Sequence, residues 1–145
     1  KNDAIKLLPT ILENFEYASI VRGSGEDFDN MFGLTDPDAV YNHKVGFYCP
    51  RFICTNGGDE ICLRTSALSK NYAVPQLETV STIGAGDNFN AGVIYGILKN
   101  DIRRSDLDKL SEADWDKIIA SGIAFGGNVC TSLDNYISKE FAASL

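Results

Sequence analysis

The stretch VSTIGAGDNFNAGVIYGIL, residues 80–98, joins a β-branched run to an apolar helical pattern through a short glycine-rich loop. The β-branched run ends at Ile83, and the apolar spacing that begins at Phe89 predicts a helix over roughly residues 88–99. Four residues separate the two patterns: Gly84, Ala85, Gly86 and Asp87. The loop therefore lies at the mouth of a helix.

The residues before this helix are suited to bind an anion. The first amides of a helix lack internal partners, and the helix dipole adds partial positive charge there. Glycines let the backbone approach a ligand closely. We therefore expect Gly84, Ala85 and Gly86 to form an anion hole for a phosphate, or for charge that develops on a phosphoryl group.

Asp87 places a carboxylate beside this site, where it would repel a stored phosphate. Such a carboxylate is useful if it takes a proton from a hydroxyl that attacks the phosphoryl group, with magnesium offsetting the negative charge. The alternative is that Asp87 caps the helix, a role worth about 1 kcal/mol, while the glycines form a tight turn. The spacing matches neither the dinucleotide fingerprint nor the Walker A loop.

Composition is typical of one soluble globular domain. The chain has 145 residues, of which 44% are hydrophobic and 23% are charged. The net charge of −7 disfavours nucleic acid and anionic membranes as partners. The longest nearly apolar stretch, AGVIYGIL, is too short to span a bilayer.

The cysteines indicate free thiols rather than a metal site. None belongs to a C-x-x-C pair, and the only histidine is His43, so a Cys/His zinc site is poorly supplied. We interpret the cysteines as buried thiols in a reducing compartment, which favours a cytoplasmic protein. The four are Cys49, Cys54, Cys62 and Cys130.

Periodicity predicts helices mixed with strands. The predicted helices cover residues 4–16, 26–32, 36–46, 88–99, 113–125 and 134–144. The predicted strands and extended segments cover residues 17–21, 51–55, 60–65, 71–75 and 77–83. Pro9 weakens the first helix, Gly33 ends the second, and the Asn56–Asp59 turn predicts a hairpin. This alternation predicts a three-layer α/β/α fold with a mostly parallel sheet.

The motif VSTIGAGDNFNAG, residues 80–92, resembles the C-terminal signature of ribokinase-like (phosphofructokinase-B type) sugar kinases, D-T-x-G-A-G-D-x-F-x-A-G. The matching residues are Thr82, Gly84, Ala85, Gly86, Asp87, Phe89, Ala91 and Gly92. The resemblance implies that ATP with Mg²⁺ phosphorylates a hydroxyl of a sugar or related molecule. It also implies that Asp87 is the catalytic base and that Gly84, Ala85 and Gly86 form the anion hole.

The stretch YASIVRGSGEDF, residues 17–28, is similar to the family's strand and Asn/Ser-x-x-Glu element, which helps to organise magnesium, water and phosphate. The resemblance implies that Ser24 contributes to nucleotide binding and Asp27 to metal binding, with Asp27 replacing the usual glutamate. The alternative is a helix-capping serine with an acid in the first turn.

Two further stretches resemble nucleotide-binding elements of the family. CTNGGDEICL, residues 54–63, is similar to the T-x-G-x-x-G turn along the ATP phosphates, which implies roles for Thr55 and Gly57. Glu60 replaces the last glycine of that motif. The alternative is that Thr55 and Gly57 belong to an ordinary hairpin turn. IAFGGNVC, residues 123–130, falls where relatives build part of the adenine pocket, which implies that Gly127 or Asn128 contacts the base; a helix-packing face is the alternative.

The resemblance covers the C-terminal half of such a kinase. It implies that residues 1–145 are the nucleotide-binding and catalytic half, while the sugar-binding half, the lid and any homodimer made through the lid lie outside. The start at Lys1, with Met31 as the only methionine, likewise predicts a piece of a longer or processed protein. Ser81 and Ile83 replace the residues that help to bind an activating monovalent cation, which disfavours potassium activation.

We therefore expect part of a fructokinase-like enzyme that acts on a small-molecule sugar, with the fragment alone inactive. The stretch Val21–Ser24 favours a carbohydrate kinase over an adenosine kinase. Two alternatives stay open: a non-catalytic nucleotide-binding fragment or pseudokinase, and a purely structural segment.

Overall fold

The computed structural model describes residues 2–145, and the side chains of residues 6–145. The side chains of residues 4 and 5, which begin the helix predicted over residues 4–16, therefore lie outside the described part. The chain forms two compact units, Lys1–Val74 and Pro75–Leu145. No helix in the described part is both long and apolar enough to cross a membrane.

In its described residues, the first unit contains three α-helices, a short 3₁₀ helix and one four-stranded sheet. Its helices are α1 Asn2–Tyr17, α2 Gly25–Phe32 and α3 Pro37–His43, followed by the 3₁₀ helix Val45–Phe47. Its strands are β1 Val21–Ser24, β2 Phe52–Thr55, β3 Glu60–Arg64 and β4 Ser69–Ala73. As predicted, the second helix ends at Gly33, which takes the left-handed conformation with φ 67°.

The sheet has the order β1-β2-β3-β4, with β1 parallel to β2 and the other two pairings antiparallel. The α/β class is confirmed, but within this sheet the parallel pairing is one of three, where a mostly parallel sheet was expected. The reason is the hairpin turn, in which Gly57 has φ 58° and the Asn56 N–H donates to the Glu60 carbonyl over 3.0 Å. So short a connection can join only antiparallel strands.

The first strand lies later than predicted, at Val21–Ser24 instead of residues 17–21. Its residues pair in register with Phe52–Thr55. Gly23 lies inside the strand beneath a packed ring, since a Cβ there would be 2.7 Å from Phe28 Cζ. The glycine therefore permits close packing and does not end the strand.

The core of the first unit joins α2, α3 and the sheet. The rings of Phe28 and Phe52 have centroids 5.1 Å apart. The core residues are Val21, Phe28, Val40, Val45, Cys49, Phe52, Cys54 and Cys62. All four cysteines are free, three of them buried, as predicted, and Cys130 is half-buried. Burial raises the pKa of Cys54 to about 11 and that of Cys62 to about 12.

The second unit is helical. It contains α4 Ala85–Lys99, a 3₁₀ helix Arg104–Lys109, α5 Glu112–Cys130 and α6 Lys139–Ala143. The extended segment predicted at residues 77–83 forms no strand, and the final helix is shorter than the predicted 134–144. Ser138 caps α6 by accepting from the Phe141 N–H, so the preceding residues stay in a loop.

Helices α4 and α5 pack against each other through glycines that both helices contribute to the contact. A Cβ at Gly92 would meet the Ser121 carbonyl oxygen and would lie 2.8 Å from Gly122 Cα. A Cβ at Gly122 would lie 2.7 Å from the ring of Phe89. The two helix backbones therefore approach closely at these glycines.

Candidate active site

The N-terminus of α4 is built by a glycine, not by a capping side chain. Gly84 is the N-cap and has φ 79°, the left-handed conformation that glycine takes without a Cβ penalty. No side chain makes a capping hydrogen bond there. The helix predicted from residue 88 thus begins three residues earlier, at Ala85.

Not every predicted amide of the anion hole is available. The Ala85 N–H donates to the Thr82 carbonyl over 3.2 Å and closes the turn. The first helical hydrogen bond runs from the Asn88 N–H to the Gly84 carbonyl over 2.9 Å. The N–H groups of Gly84, Gly86 and Asp87 have no acceptor among the described residues. Positive potential therefore remains at these three amides.

The side chain of Asp87 is exposed in the first turn of α4. Among the residues that the structure describes, its carboxylate makes no hydrogen bond or ion pair. The alternative that Asp87 caps the helix is wrong, because Gly84 is the N-cap and Asp87 is the third helical residue. A solvated carboxylate beside free amides is geometrically able to accept a proton from an approaching hydroxyl.

Two residues of the glycine-loop motif act in packing. Phe89 is buried and lies under Gly122, and Gly92 lets α5 approach α4. The carbonyl of Ala85 faces Gly126, where a Cβ would be 3.2 Å from its oxygen. Sequence reasoning assigned these glycines of α5 no role in the site, although their spacing of four residues was the available signal.

Gly127 and Asn128, the residues expected near the adenine base, lie in the last turns of α5. Gly127 packs beside Leu77, whose Cδ1 would be 3.0 Å from an added Cβ. The Oδ1 of Asn128 accepts from the Ser138 N–H over 2.8 Å, so half of the carboxamide holds the loop before α6. Its Nδ2 has no acceptor among the described residues and stays available for a ligand.

Ser24 and Asp27 form a complete capping box at the start of α2. The Asp27 carboxylate oxygen Oδ2 accepts from the Ser24 N–H and the Ser24 hydroxyl, both over 2.8 Å, and the Asp27 N–H donates to Ser24 Oγ over 3.1 Å. The capping alternative therefore describes their contacts in this structure. Asp27 is exposed, and its Oδ1 makes no hydrogen bond within the described part of the chain.

Thr55 and Gly57 lie at and beyond the end of β2. Thr55 is the register partner of Ser24, so both stand at the carboxyl ends of the parallel strands. Its hydroxyl accepts from Arg22 Nη2 over 2.7 Å, a contact that sequence reasoning did not identify. Gly57 lies in an exposed hairpin turn, and the Glu60 carboxylate accepts from Asn71 Nδ2 over 2.9 Å.

A cavity of 410 Å³ lies between α1, β1 and α2. Arg22 and Asp27 contribute charge to its wall, while Phe15, Phe28 and Met31 supply apolar surface. Ser24 and Thr55 lie side by side at one end of the sheet, and Asp27 lines the cavity. The α4 residues belong to the other unit and form a separate group.

Among the described residues, Asp27 belongs to no cluster of three or more metal-ligating side chains. No group of three or more His, Cys, Asp or Glu side chains within the described residues could hold a metal ion.

Comparison with known proteins identifies the chain's relatives. The family model described as pfkB family carbohydrate kinase matches residues 2–140. No curated protein matches the sequence. Three similar solved structures illustrate the likeness.

Aminoimidazole riboside kinase from Salmonella enterica, complexed with aminoimidazole riboside and an ATP analogue, has TM-score 0.76 and 21% identity over 95% of this chain and 46% of its own. Fructokinase from Vibrio cholerae O395, bound to fructose, ADP and calcium, has TM-score 0.78 and 17% identity, covering 95% and 44%. Adenosine kinase from Sinorhizobium meliloti has TM-score 0.75 and 18% identity, covering 96% and 39%.

These likenesses show that the fold is ribokinase-like, and the chain spans less than half of the length of each of these solved proteins. The family model matches nearly the whole chain, including the glycine loop at the start of α4. The chain belongs to the pfkB family of carbohydrate kinases.

Proposed function

We propose that the native polypeptide carrying residues 1–145 transfers the γ-phosphoryl group of ATP to a sugar hydroxyl in a fructokinase-like reaction. Family membership supports a carbohydrate kinase, and the structural neighbours bound to an ATP analogue or ADP support nucleotide use. The neighbour bound to fructose supports a small sugar as the acceptor. Residues 1–145 then form the nucleotide-binding and catalytic half of a cytoplasmic enzyme.

The observation that carries this proposal is the exposed Asp87 carboxylate beside the unengaged amides of Gly84, Gly86 and Asp87. In the proposed mechanism Asp87 accepts the proton of the attacking hydroxyl. The free amides stabilise the charge on the transferring phosphoryl group, and the N-terminal dipole of α4 adds to this field. Positioning and electrostatics supply most of the rate enhancement in phosphoryl transfer.

The nucleotide-binding roles extend the proposal to both units. Asp27 and Ser24 would hold the Mg²⁺ that arrives with ATP, and the ion would supply positive charge to offset the phosphates. Thr55 and Gly57 contact the phosphates from the end of β2. Gly127 and the free Nδ2 of Asn128 contact the adenine base. Residues 1–145 alone are inactive in this proposal, because the sugar-binding half and the lid that supports dimerisation lie outside them.

The test is an ATP-consumption assay with a sugar panel that includes fructose, on the native polypeptide carrying these residues. We expect Asp87→Asn to lower kcat by about a hundredfold or more, because the amide cannot accept the proton. Glu13→Gln, an equally small change at an exposed acid of α1, is the matched control and should leave kcat unchanged. An Asp87→Asn enzyme that works at the wild-type rate would remove the base assignment.

A non-catalytic nucleotide-binding role is the second candidate. The observation in its favour is that Ser24 and Asp27 already satisfy each other in the capping box. Calorimetric titration with ATP and Mg²⁺, combined with the sugar panel, separates the candidates. Binding without phosphorylation of any sugar supports the second candidate, whereas turnover supports the kinase.

A further inference from the structure

The side chain of Asn88 bridges the glycine loop and a distant segment. Its Nδ2 donates to the Gly84 carbonyl over 2.9 Å and to the Asn135 carbonyl over 2.9 Å. A carboxamide nitrogen carries two hydrogens, so both donors are used. Serine, alanine or aspartate at this position would leave at least one of the two carbonyls without this donor.

The first of these bonds fixes a peptide plane at the site. The Gly84 carbonyl accepts from the backbone N–H as well as the side chain of Asn88, so both of its lone pairs are occupied. Because the peptide unit is planar, this also fixes the Ala85 N–H, which donates to Thr82. The orientation of the following amides of Gly86 and Asp87 depends on this plane.

The second bond holds the segment of residues 131–138, the α5–α6 loop, against the same turn. A Cβ at Gly84 would lie 3.0 Å from the Cβ of Asn135, so loop and turn are in close contact. The other end of the loop is held by Asn128, which accepts from the Ser138 N–H over 2.8 Å. Asn88 therefore connects the segment beside Asn128 to the free amides.

We propose that Asn88 is a positioning residue that aims the amides of Gly86 and Asp87 at the anion and ties them to the α5–α6 loop. This inference rests on the proposed phosphoryl transfer. Asn88 itself touches neither the phosphoryl group nor the acceptor hydroxyl. Without its two bonds, only backbone hydrogen bonds hold the Gly84–Ala85 peptide, and the amides that follow are aimed less accurately at the transferring group.

The same helix supplies a matched control. Asn100, at the C-terminal end of α4, donates from Nδ2 to the Gly96 carbonyl over 2.7 Å, and its backbone N–H donates to the same oxygen over 3.3 Å. The local hydrogen-bonding pattern equals that of Asn88, four residues back along the helix. No residue of the proposed machinery lies at that end, so Asn100→Ala removes the bond without touching the site.

The first experiment compares Asn88→Ala and Asn100→Ala in the native polypeptide by steady-state kinetics. We expect Asn88→Ala to lower kcat by about tenfold or more with KM for ATP changed by less than about threefold, as misplacement of groups around the reacting atoms affects the transition state most. Asn100→Ala should change neither parameter beyond about twofold, although both variants lose a similar helical bond. Equal kinetics of the two variants would overturn the proposal.

The second experiment needs no turnover. Inorganic phosphate is titrated into ¹⁵N-labelled protein, and the backbone amide signals of Gly86 and Asp87 are followed by NMR. We expect these signals to shift in the wild type and in Asn100→Ala, and to need about tenfold more phosphate in Asn88→Ala. A wild type that binds phosphate but phosphorylates no sugar removes the proposed function and leaves the Asn88 inference standing. Equal phosphate affinity of Asn88→Ala and the wild type overturns the inference alone.

Discussion

Gly84 combines an unusual backbone conformation with a close neighbour. Its φ of 79° disfavours any residue with a Cβ, and such a Cβ would lie 3.0 Å from Asn135 Cβ. Gly33 also has positive φ, 67°, but an added Cβ there meets nothing within 4 Å. A Cβ at Gly33 therefore meets only backbone strain, whereas a Cβ at Gly84 meets backbone strain and a close contact with Asn135.

We predict that Gly84→Ala lowers the free energy of unfolding by about 2–3 kcal/mol, whereas Gly33→Ala lowers it by about 1 kcal/mol, the cost of a left-handed alanine. The difference between the two losses measures the free energy needed to displace the loop that contains Asn135. Urea denaturation of both variants measures the two values. Equal losses would mean that the contact with Asn135 relaxes without cost.

At the scale of elements, α4 and α5 pack closely because glycines at their contact leave no side chain between the two backbones. A Cβ at Gly92 would meet backbone atoms of α5, which have no freedom to rotate away. At Gly127 the nearest atom is instead the tip of Leu77, a flexible side chain. The two positions therefore differ in whether the neighbour can move.

We predict that Gly92→Ala lowers the free energy of unfolding by about 3 kcal/mol or more, because the helices must separate. Gly127→Ala should change it by less than about 1 kcal/mol, since alanine also favours the helix. Chemical denaturation provides the comparison. A well-tolerated Gly92→Ala would show that the helices do not depend on this close approach.

Helix α3 is attached to the sheet by an ion pair between Asp38 and Arg64. Arg64 Nε donates to Asp38 Oδ1 over 2.6 Å and Nη2 donates to Oδ2 over 3.1 Å. The side chain of Arg64 is 7% exposed and that of Asp38 is 54% exposed. The hydrogen bond from Arg64 lowers the pKa of Asp38.

We predict that Asp38→Asn lowers the free energy of unfolding at neutral pH by about 1–2 kcal/mol, because the buried guanidinium loses its charged partner. A lowered carboxyl pKa contributes stability above its ordinary value of 3.8, and that stability is lost as pH falls through the lowered pKa. The gap between wild type and variant should therefore shrink toward acid pH in urea denaturation series. A gap independent of pH would mean that the charge of Asp38 contributes nothing.

On the scale of the whole molecule, we expect two buried thiols to make the stability of the first unit depend on pH in the alkaline range. Cys54 and Cys62 are directly opposite each other on β2 and β3. Burial raises their pKa values from 9.0 to about 11 and about 12. A raised pKa contributes stability that is present below 9.0 and is lost as pH rises through the folded-state values.

We predict that the free energy of unfolding falls between about pH 9 and pH 11, as unfolded thiols ionise before the buried ones. The double variant Cys54→Ala/Cys62→Ala should be less stable at pH 7 but show a flatter alkaline slope. Cys130→Ala, at a half-buried thiol outside this sheet, serves as the control. Denaturation midpoints measured over this pH range test the prediction, and equal slopes in all three proteins would contradict it.

Local sequence patterns were sufficient where neighbouring residues decide the structure. The Asn56–Asp59 turn predicted the hairpin, and Gly33 predicted the end of α2, because both depend on backbone torsions that glycine permits. Patterns failed where long-range pairing decides. Val21–Ser24 becomes a strand through pairing with β2, although Gly23 and Ser24 have poor strand propensity.

The sequence by itself determined the family, the α/β class and the place of the glycine loop at a helix N-terminus, because a motif and its flanking periodicity are local properties. Only the tertiary structure decided which groups at that loop are free. The Ala85 N–H donates to the Thr82 carbonyl, and Asn88 Nδ2 donates to the Asn135 carbonyl. The Asp87 carboxylate has no hydrogen-bond partner among the described residues. Those partners follow from how α4, α5 and the α5–α6 loop pack, and spacing along one chain segment does not specify contacts between segments distant in sequence.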